Sequence, residues 1–207
     1  MGLSHFIHYR QPGVGGVAAG TKAAAKLMRE NRSCEVTVLT KGKDISYAGC
    51  GLPYYVGGVI AEKSALIVNT PEKFAKLTGA QVKTETEAVA VYPGRHVVEA
   101  KDLKTGEISE YTYDKLVIAT GASPFVPPIQ GLDLKNVKGI MPSSAILFST
   151  NSLSSGSRKF GSTWGAKSIT SGIEMVKGTV LTDPYLRTNV EDIYAAGDCA
   201  MVTNRQT

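Results

Sequence analysis

The hydrophobic pattern in the first half of the chain predicts helices that alternate with strands. A glycine-rich stretch, 13–20, leads into the alanine-rich segment 21–31, which has the composition of a helix. The apolar run Glu35–Thr40 predicts a strand. Segment 70–77 begins with Thr, Pro and Glu, which suit the N-cap, the first position and the first turn of a helix. This order of elements predicts an α/β fold.

The hydrophobic period changes to two after the second predicted helix. Four short segments alternate like antiparallel strands: 82–84, 88–92, 96–100 and 108–113. Turn residues separate them, most clearly Pro93–Gly94 and Lys104–Gly106. We therefore expect a small antiparallel β-meander beside a parallel sheet.

Two predicted buried strands end in residues that are typical of ligand sites. Leu116–Ala119 is followed by Thr120–Gly121, where a glycine lets a ligand or another segment come close. Ile193–Ala196 is followed by Gly197–Asp198. Open α/β sheets bind ligands at the carboxyl ends of their strands, so both turns are candidate site residues.

The segment before the glycine-rich stretch is a poor match to a central strand. Residues 5–12 mix polar with apolar side chains and end in Pro12. A central parallel strand is expected to be a continuous apolar run without proline. We therefore expect a degraded first strand, with His5 and His8 as surface residues.

Composition limits the possible classes of function. The chain has 207 residues, of which 43% are hydrophobic, so it can form a core of its own. It contains no run of about 18 apolar residues and no signal peptide, so we expect neither a membrane span nor secretion. Its net charge of +5 comes from scattered lysines and arginines without interleaved aromatic residues, which argues against nucleic-acid binding.

The cysteines narrow the chemistry further. Cys34, Cys50 and Cys199 form no CxxC pair and no metal-ligand pattern, so neither a disulfide scaffold nor a metal site is predicted. Such cysteine usage suits the reducing cytosol, and we expect a cytoplasmic location.

Cys50 is the strongest candidate for catalysis. It lies between Gly49 and Gly51, and Pro53 just after it is typical of the start of a helix. The unpaired N–H groups and the dipole at a helix N-terminus favour the reactive thiolate over the thiol. The alternative is a small buried cysteine beside a tight turn, and spacing alone does not decide between the two.

The glycine-rich stretch has features of a phosphate-binding turn. In one frame it reads G-x-G-x-x-A from Gly13, and in another Val17 stands where the second glycine is expected. A pyrophosphate would lie at the N-terminus of the helix that follows. The residue at the end of the second strand should be acidic to bind a ribose hydroxyl, but it is Thr40, followed by Lys41.

Four separated segments resemble one enzyme family in order. They are the glycine-rich turn, Ser46–Tyr55, Tyr113–Gly121 and Thr188–Asp198. Together they resemble the FAD-dependent pyridine nucleotide–disulfide oxidoreductases, and in particular the single-cysteine branch of CoA-disulfide reductases and NADH oxidases. The two-cysteine branch uses a CxxxxC motif, and Cys50 has no partner at that spacing. The resemblance implies a Rossmann-like FAD-binding domain.

The resemblance also implies a role for each motif. Cys50 would face the flavin and form a mixed disulfide with CoA, or a sulfenic acid as in the oxidase and peroxidase relatives. NAD(P)H would reduce FAD, and the flavin would reduce the cysteine. The implied FAD-binding residues are Gly13, Gly15 and Gly20 at the pyrophosphate, Thr40 and Lys41 at the adenosine ribose, Thr120 and Gly121 beside the cofactor, and Asp198 on its flavin side.

The chain departs from the family in its domain organisation. In place of an NAD(P)-binding domain, the serine- and glycine-rich segment 142–172 joins a first FAD-binding segment, 1–141, to a closing one, 173–207. The domain through which the family forms homodimers would begin soon after Ala200 and is expected to be missing. Three hypotheses stay open: a flavoenzyme that reduces a small disulfide, oxygen or peroxide; a non-catalytic FAD-binding remnant; and an unstable product that binds nothing.

Overall fold

The computed structural model describes residues 4–9, 17–121, 172–176 and 178–202. In chain order the helices and strands are β1 (Ser4–Tyr9), α1 (Val17–Glu30), β2 (Glu35–Thr40), β3 (Ile45–Tyr47), α2 (Leu52–Val56), β4 (Ile67–Asn69), α3 (Pro71–Thr78), β5 (Gln81–Lys83), β6 (Thr86–Tyr92), β7 (Val97–Asp102), β8 (Ile108–Thr112), β9 (Lys115–Ile118), β10 (Met175–Val176), β11 (Thr179–Thr182), β12 (Ile193–Ala195) and β13 (Ala200–Val202). Within these ranges, no helix is long and apolar enough to cross a membrane. The predicted irregular segment 142–172 lies, except for Gly172, outside the described residues.

A parallel sheet with the strand order β12–β9–β1–β2–β5 forms the centre of the fold. The expectation of a degraded first strand was wrong, because β1 is the middle strand and pairs with β2 from Ser4 to Tyr9. Backbone pairing on both sides does not depend on side-chain polarity, and Pro12 comes after the last paired residue. The side chains of His5 and His8 are outside the described part of the structure.

The segment around Val82 is also placed differently from the prediction. We expected it among the antiparallel strands, but β5 pairs in parallel with β2, with Val82 opposite Val38. Three residues are too few for their period to specify a partner. The helix α3 before β5 instead makes this a β–α–β return to the parallel sheet, which is the usual outcome of such a crossover.

The other predicted helices and strands are confirmed. α3 begins as expected, since the Oγ1 of Thr70 accepts a hydrogen bond from the Lys73 N–H at 3.2 Å, and it ends at Gly79 with φ +82°. β6, β7 and β8 form the antiparallel meander, and turns at Pro93 and Gly106 connect them.

The parallel sheet separates two hydrophobic cores. Val38 and Leu39 are both fully buried but belong to opposite cores, because successive Cβ atoms of a strand point to opposite faces. The core on the side of α1 and α3 contains Ala24, Cys34, Val36, Val38, Ile45, Phe74 and Ala80. The core on the side of the meander is larger and includes Leu39, Ala88, Val91, Val98, Leu116, Ile118, Val180 and Ile193. This layering holds the carboxyl edge of the sheet between a helical layer and a β layer.

Candidate functional site

Two glycine turns lie next to each other at the carboxyl edge of the sheet. β9 and β12 are parallel neighbours, so the turns Thr120–Gly121 and Gly197–Asp198 leave the sheet at the same edge. Gly121 has φ +68° and Gly197 has φ +82°, which are conformations that favour glycine. Thr120 is buried and Asp198 is exposed. The edge therefore offers close backbone approach with few side chains in the way.

The turn after β12 also packs on the first turn of α1. A Cβ atom at Gly197 would lie 2.9 Å from the Cβ of Ala19, closer than two such atoms approach in proteins. Gly20, the next residue of the helix, is buried. The closing segment of the chain is therefore held against the helix that the glycine-rich stretch leads into.

The side chain of Cys199 contacts the backbone beside the turn after β12. Its side chain is buried, and its Sγ donates to the carbonyl oxygens of Ala196 at 3.3 Å and Ile118 at 3.5 Å. The Ala196 N–H also donates to the Ile118 carbonyl at 2.9 Å. These contacts make Cys199 a packing residue of the core on the side of the meander.

The N-terminus of α1 is suited to an anion. The helix has 14 residues and no acidic residue in its first turn, so no carboxylate there opposes the positive end of its dipole. Gly13 and Gly15, which were predicted to form the pyrophosphate turn, lie outside the described residues. The helix end and the glycine turns beside it fit the pyrophosphate of a dinucleotide.

The end of β2 carries an ion pair that the sequence did not reveal. Thr40 is buried, and its Oγ1 accepts a hydrogen bond from the Gly42 N–H at 3.3 Å. The Nζ of Lys41 lies 3.2 Å from Oε1 and 3.1 Å from Oε2 of Glu87. The predicted strand 88–92 began just after Glu87, and no local pattern could pair this residue with one 46 positions earlier.

Cys50 lies on an excursion that leaves the sheet after β2 and returns through α3 and β5. The short antiparallel pair of β3 and β4 closes the base of this excursion, with Ile45 opposite Asn69 and Tyr47 opposite Ile67. The Ala48 N–H donates to the Leu66 carbonyl at 2.8 Å just above that base. Because β2 ends at the carboxyl edge, the excursion starts at the same edge as the glycine turns.

The cysteine itself is exposed, so the alternative of a buried cysteine is wrong. It lies in the 3-10 turn Gly49–Gly51, which continues directly into α2 with Pro53 in its first turn, as the sequence predicted. α2 has only five residues and contributes few aligned peptide dipoles. The structure therefore supports the reactivity of Cys50 through the exposure of its side chain and not through a strong helix dipole.

The two glycines beside Cys50 have different environments. A Cβ at Gly51 would lie 2.6 Å from Cδ2 of Leu66, whereas nothing lies within 4 Å of a Cβ at Gly49. Leu66 is 2% exposed, so it cannot move far. Gly51 therefore seats the turn against the excursion, and Gly49 leaves open space on the other side of Cys50.

These features define a Rossmann-like α/β domain that carries an exposed cysteine on a loop from the carboxyl edge of its parallel sheet. A sequence profile of the pyridine nucleotide-disulphide oxidoreductases matches residues 14–153 and 162–207. The chain belongs to this family, as the four motifs predicted. The family depends on a flavin and on NAD(P)H.

Curated relatives match part of the chain. An NADH oxidase of Methanocaldococcus jannaschii is 38% identical over 124 residues, which is 60% of this chain and 28% of the relative. A coenzyme A disulfide reductase of Staphylococcus aureus is 37% identical over 110 residues, which is 53% of this chain and 25% of the relative. The chain thus spans little more than a quarter of the curated relatives that it matches.

Solved structures share the fold. The reduced CoADR-RHD of Bacillus anthracis is 30% identical with a TM-score of 0.58, covering 70% of this chain and 27% of that one. A NAD-dependent persulfide reductase from A. fulgidus is 22% identical with a TM-score of 0.71, covering 95% of this chain and 53% of that one. The second likeness concerns the fold alone. Together these matches confirm the predicted fold class.

Proposed function

We propose that this chain binds FAD at the carboxyl edge of its parallel sheet and that Cys50 is a redox-active thiol. The electron acceptor in this proposal is a small disulfide such as CoA disulfide, and oxygen or peroxide is the alternative acceptor. The observation that carries the proposal is the exposure of Cys50 on a loop that starts at the same edge as the glycine turns. The names of the curated relatives support this substrate class.

The described residues fit a dinucleotide. The N-terminus of α1 would hold the pyrophosphate, since its first turn contains no opposing carboxylate, and Gly13, Gly15 and Gly20 are proposed to complete the turn. Thr120, Gly121 and Asp198 lie on the turns beside it and contact the cofactor in this proposal. FAD, when bound, supplies the two-electron chemistry that links a pyridine nucleotide to a thiol.

Cys50 itself performs a thiol–disulfide exchange in this proposal. Its thiolate attacks one sulfur of a disulfide RSSR, a bond forms between Sγ and that sulfur, and the other half leaves as a thiolate that takes up a proton. Restoring the Cys50 thiolate requires one proton and two electrons, which a pyridine nucleotide would supply through bound FAD, and releases the second RSH. The open space at Gly49 leaves room for the incoming disulfide.

The proposal is tested with the purified chain. We expect a yellow protein whose visible absorbance is bleached by NADH or NADPH and recovered by CoA disulfide. Cys50→Ser should retain FAD while losing disulfide turnover. Turnover that survives Cys50→Ser would remove this cysteine from the mechanism, and a colourless chain that does not take up added FAD would contradict the proposal as a whole.

A second candidate is an FAD-binding domain without hydride transfer. Among the described residues one sheet is parallel throughout, the five-stranded one, and it offers one edge of the kind that binds a dinucleotide. Hydride transfer requires a second nucleotide to be positioned against the flavin. This candidate predicts bound FAD whose absorbance does not change with NADH or NADPH on a turnover timescale, and rapid bleaching would exclude it.

A further inference from the structure

In dinucleotide-binding sheets of this kind, the residue that binds the ribose hydroxyls lies at the end of the second strand and is commonly acidic. Here it is Thr40, which is 2% exposed and whose hydroxyl accepts a hydrogen bond from the Gly42 N–H. A buried hydroxyl that is engaged in its own turn does not replace a carboxylate as an acceptor for ribose hydroxyls.

Lys41 is the next side chain, and it leaves the chain toward the meander. Its Nζ lies 3.1 Å from the Glu87 carboxylate on β6, and the Gly42 carbonyl accepts a hydrogen bond from the Glu85 N–H at 3.2 Å. The turn after β2 is thus fixed to the meander through both its backbone and its side chain. The ammonium is held at the carboxyl end of β2, with 32% of the Lys41 side chain still exposed.

We propose that Lys41 reads the adenosine ribose as a hydrogen-bond donor and that Glu87 is the residue that positions it. The polarity at this point is then the reverse of the common arrangement, since an ammonium donates where a carboxylate accepts. This inference rests on the proposed function, because it requires a dinucleotide at this edge.

Glu87 also sets the specificity of the site. An unopposed ammonium beside a ribose would attract a 2′-phosphate, which is how basic residues accommodate phosphorylated nucleotides. The Glu87 carboxylate compensates the Lys41 charge, so the site takes an unphosphorylated ribose such as that of FAD. The side chains of Lys41 and Glu87 are 32% and 19% exposed, so we expect loss of the pair to cost some stability without unfolding the chain. Circular dichroism of each variant checks this.

FAD binding to the full chain, followed by quenching of flavin fluorescence, tests the first part. Glu87→Gln and Lys41→Gln should each weaken binding about tenfold, the loss expected for one charge-assisted hydrogen bond. The double variant should bind no more weakly than Lys41→Gln alone, because Glu87 acts through Lys41. Equal binding by wild type and Glu87→Gln, or losses that simply add, would overturn the role of Glu87.

Competition with two nucleotides tests the specificity. Adenosine 2′,5′-bisphosphate should gain about tenfold over 5′-ADP as a competitor for FAD when Glu87 becomes Gln. Glu110→Gln is the matched control, because it removes the exposed Arg95–Glu110 pair of the same meander and should change neither measurement. An unchanged ratio in Glu87→Gln overturns the inference. A wild-type chain that binds no FAD instead contradicts the proposed function, so the two failures are distinct.

Discussion

Gly197 lies so close to Ala19 that a methyl group at position 197 would meet the Ala19 side chain at 2.9 Å. These residues are far apart in the chain, yet their contact fixes the closing segment against α1, the helix at the proposed dinucleotide site. Position 197 therefore requires glycine for two reasons. Its φ of +82° favours glycine, and the neighbouring Ala19 leaves no room for a Cβ.

Gly197→Ala should therefore be unusually destabilising. The left-handed φ and the overlap with Ala19 together should lower the free energy of unfolding by about 2–4 kcal/mol. Gly58→Ala is the matched control, because Gly58 has φ +76° but nothing within 4 Å of a Cβ, and it should cost only about 1 kcal/mol. Chemical denaturation followed by circular dichroism gives both values. Equal losses of unfolding free energy in the two variants would show that the contact with Ala19 does not contribute to the cost of Gly197→Ala.

The two glycines beside Cys50 should respond differently to substitution. Gly51→Ala forces the buried Leu66 to shift and should lower the free energy of unfolding by about 1–2 kcal/mol. Gly49→Ala should be close to neutral in stability, because it meets no neighbouring atom. Thermal or denaturant unfolding of the two variants decides the matter, and a larger loss in Gly49→Ala would contradict the placement of the turn.

The three thiols should react with a labelling reagent at different rates, because their side chains differ in exposure. Cys50 is exposed, whereas Cys34 and Cys199 are buried in opposite cores. A thiol-specific chromogenic disulfide should label one cysteine rapidly in the native chain and the other two only on unfolding. Cys50→Ser should remove the fast phase, and a fast phase that persists in that variant would contradict the exposure of Cys50.

Tyr113 should limit stability at alkaline pH. Burial, followed by the nearby charge of Asp192, raises the pKa of its hydroxyl to about 12. The folded chain therefore holds this proton more tightly than the unfolded chain, so stability is fully present below about pH 10 and declines as the pH rises toward 12. Tyr113→Phe should flatten this decline, as measured by denaturation across that range.

The same substitution should cost little at neutral pH. The Tyr113 hydroxyl is buried and has no hydrogen-bond partner among the described residues. Removing it eliminates an unsatisfied group while keeping the ring in the core, so Tyr113→Phe should be neutral or stabilising. A loss above about 1 kcal/mol at neutral pH would reveal a partner for this hydroxyl.

The sequence predicted elements wherever local chemistry was specific. Thr70 and Pro71 placed α3 correctly, and the run 35–40 gave β2, because caps and apolar runs act within a few residues. The prediction of a degraded first strand was wrong, because it was based on polar side chains, whereas β1 is held by backbone pairing with β2 and β9. Short segments such as β5 carry too few residues to reveal whether their partner is parallel or antiparallel.

The candidate site was predicted in part for the same reason. Cys50 and the glycine turns could be found because their residue types are informative by themselves. The contacts of Lys41 with Glu87, of Gly197 with Ala19 and of Gly51 with Leu66 depend on the tertiary fold, and no local pattern announces them. Glycine was expected at these turns, but which glycine is sterically required could be decided only in three dimensions.

The most direct test is the electron capacity of the FAD-loaded chain after treatment with CoA disulfide. If one flavin and one thiol share the proposed site, reductive titration should consume about four electrons per FAD, two for the flavin and two for the disulfide on Cys50. Cys50→Ser, treated in the same way, should consume about two. A wild-type chain that takes up only the flavin's electrons, with no CoA bound to Cys50, would contradict the central claim.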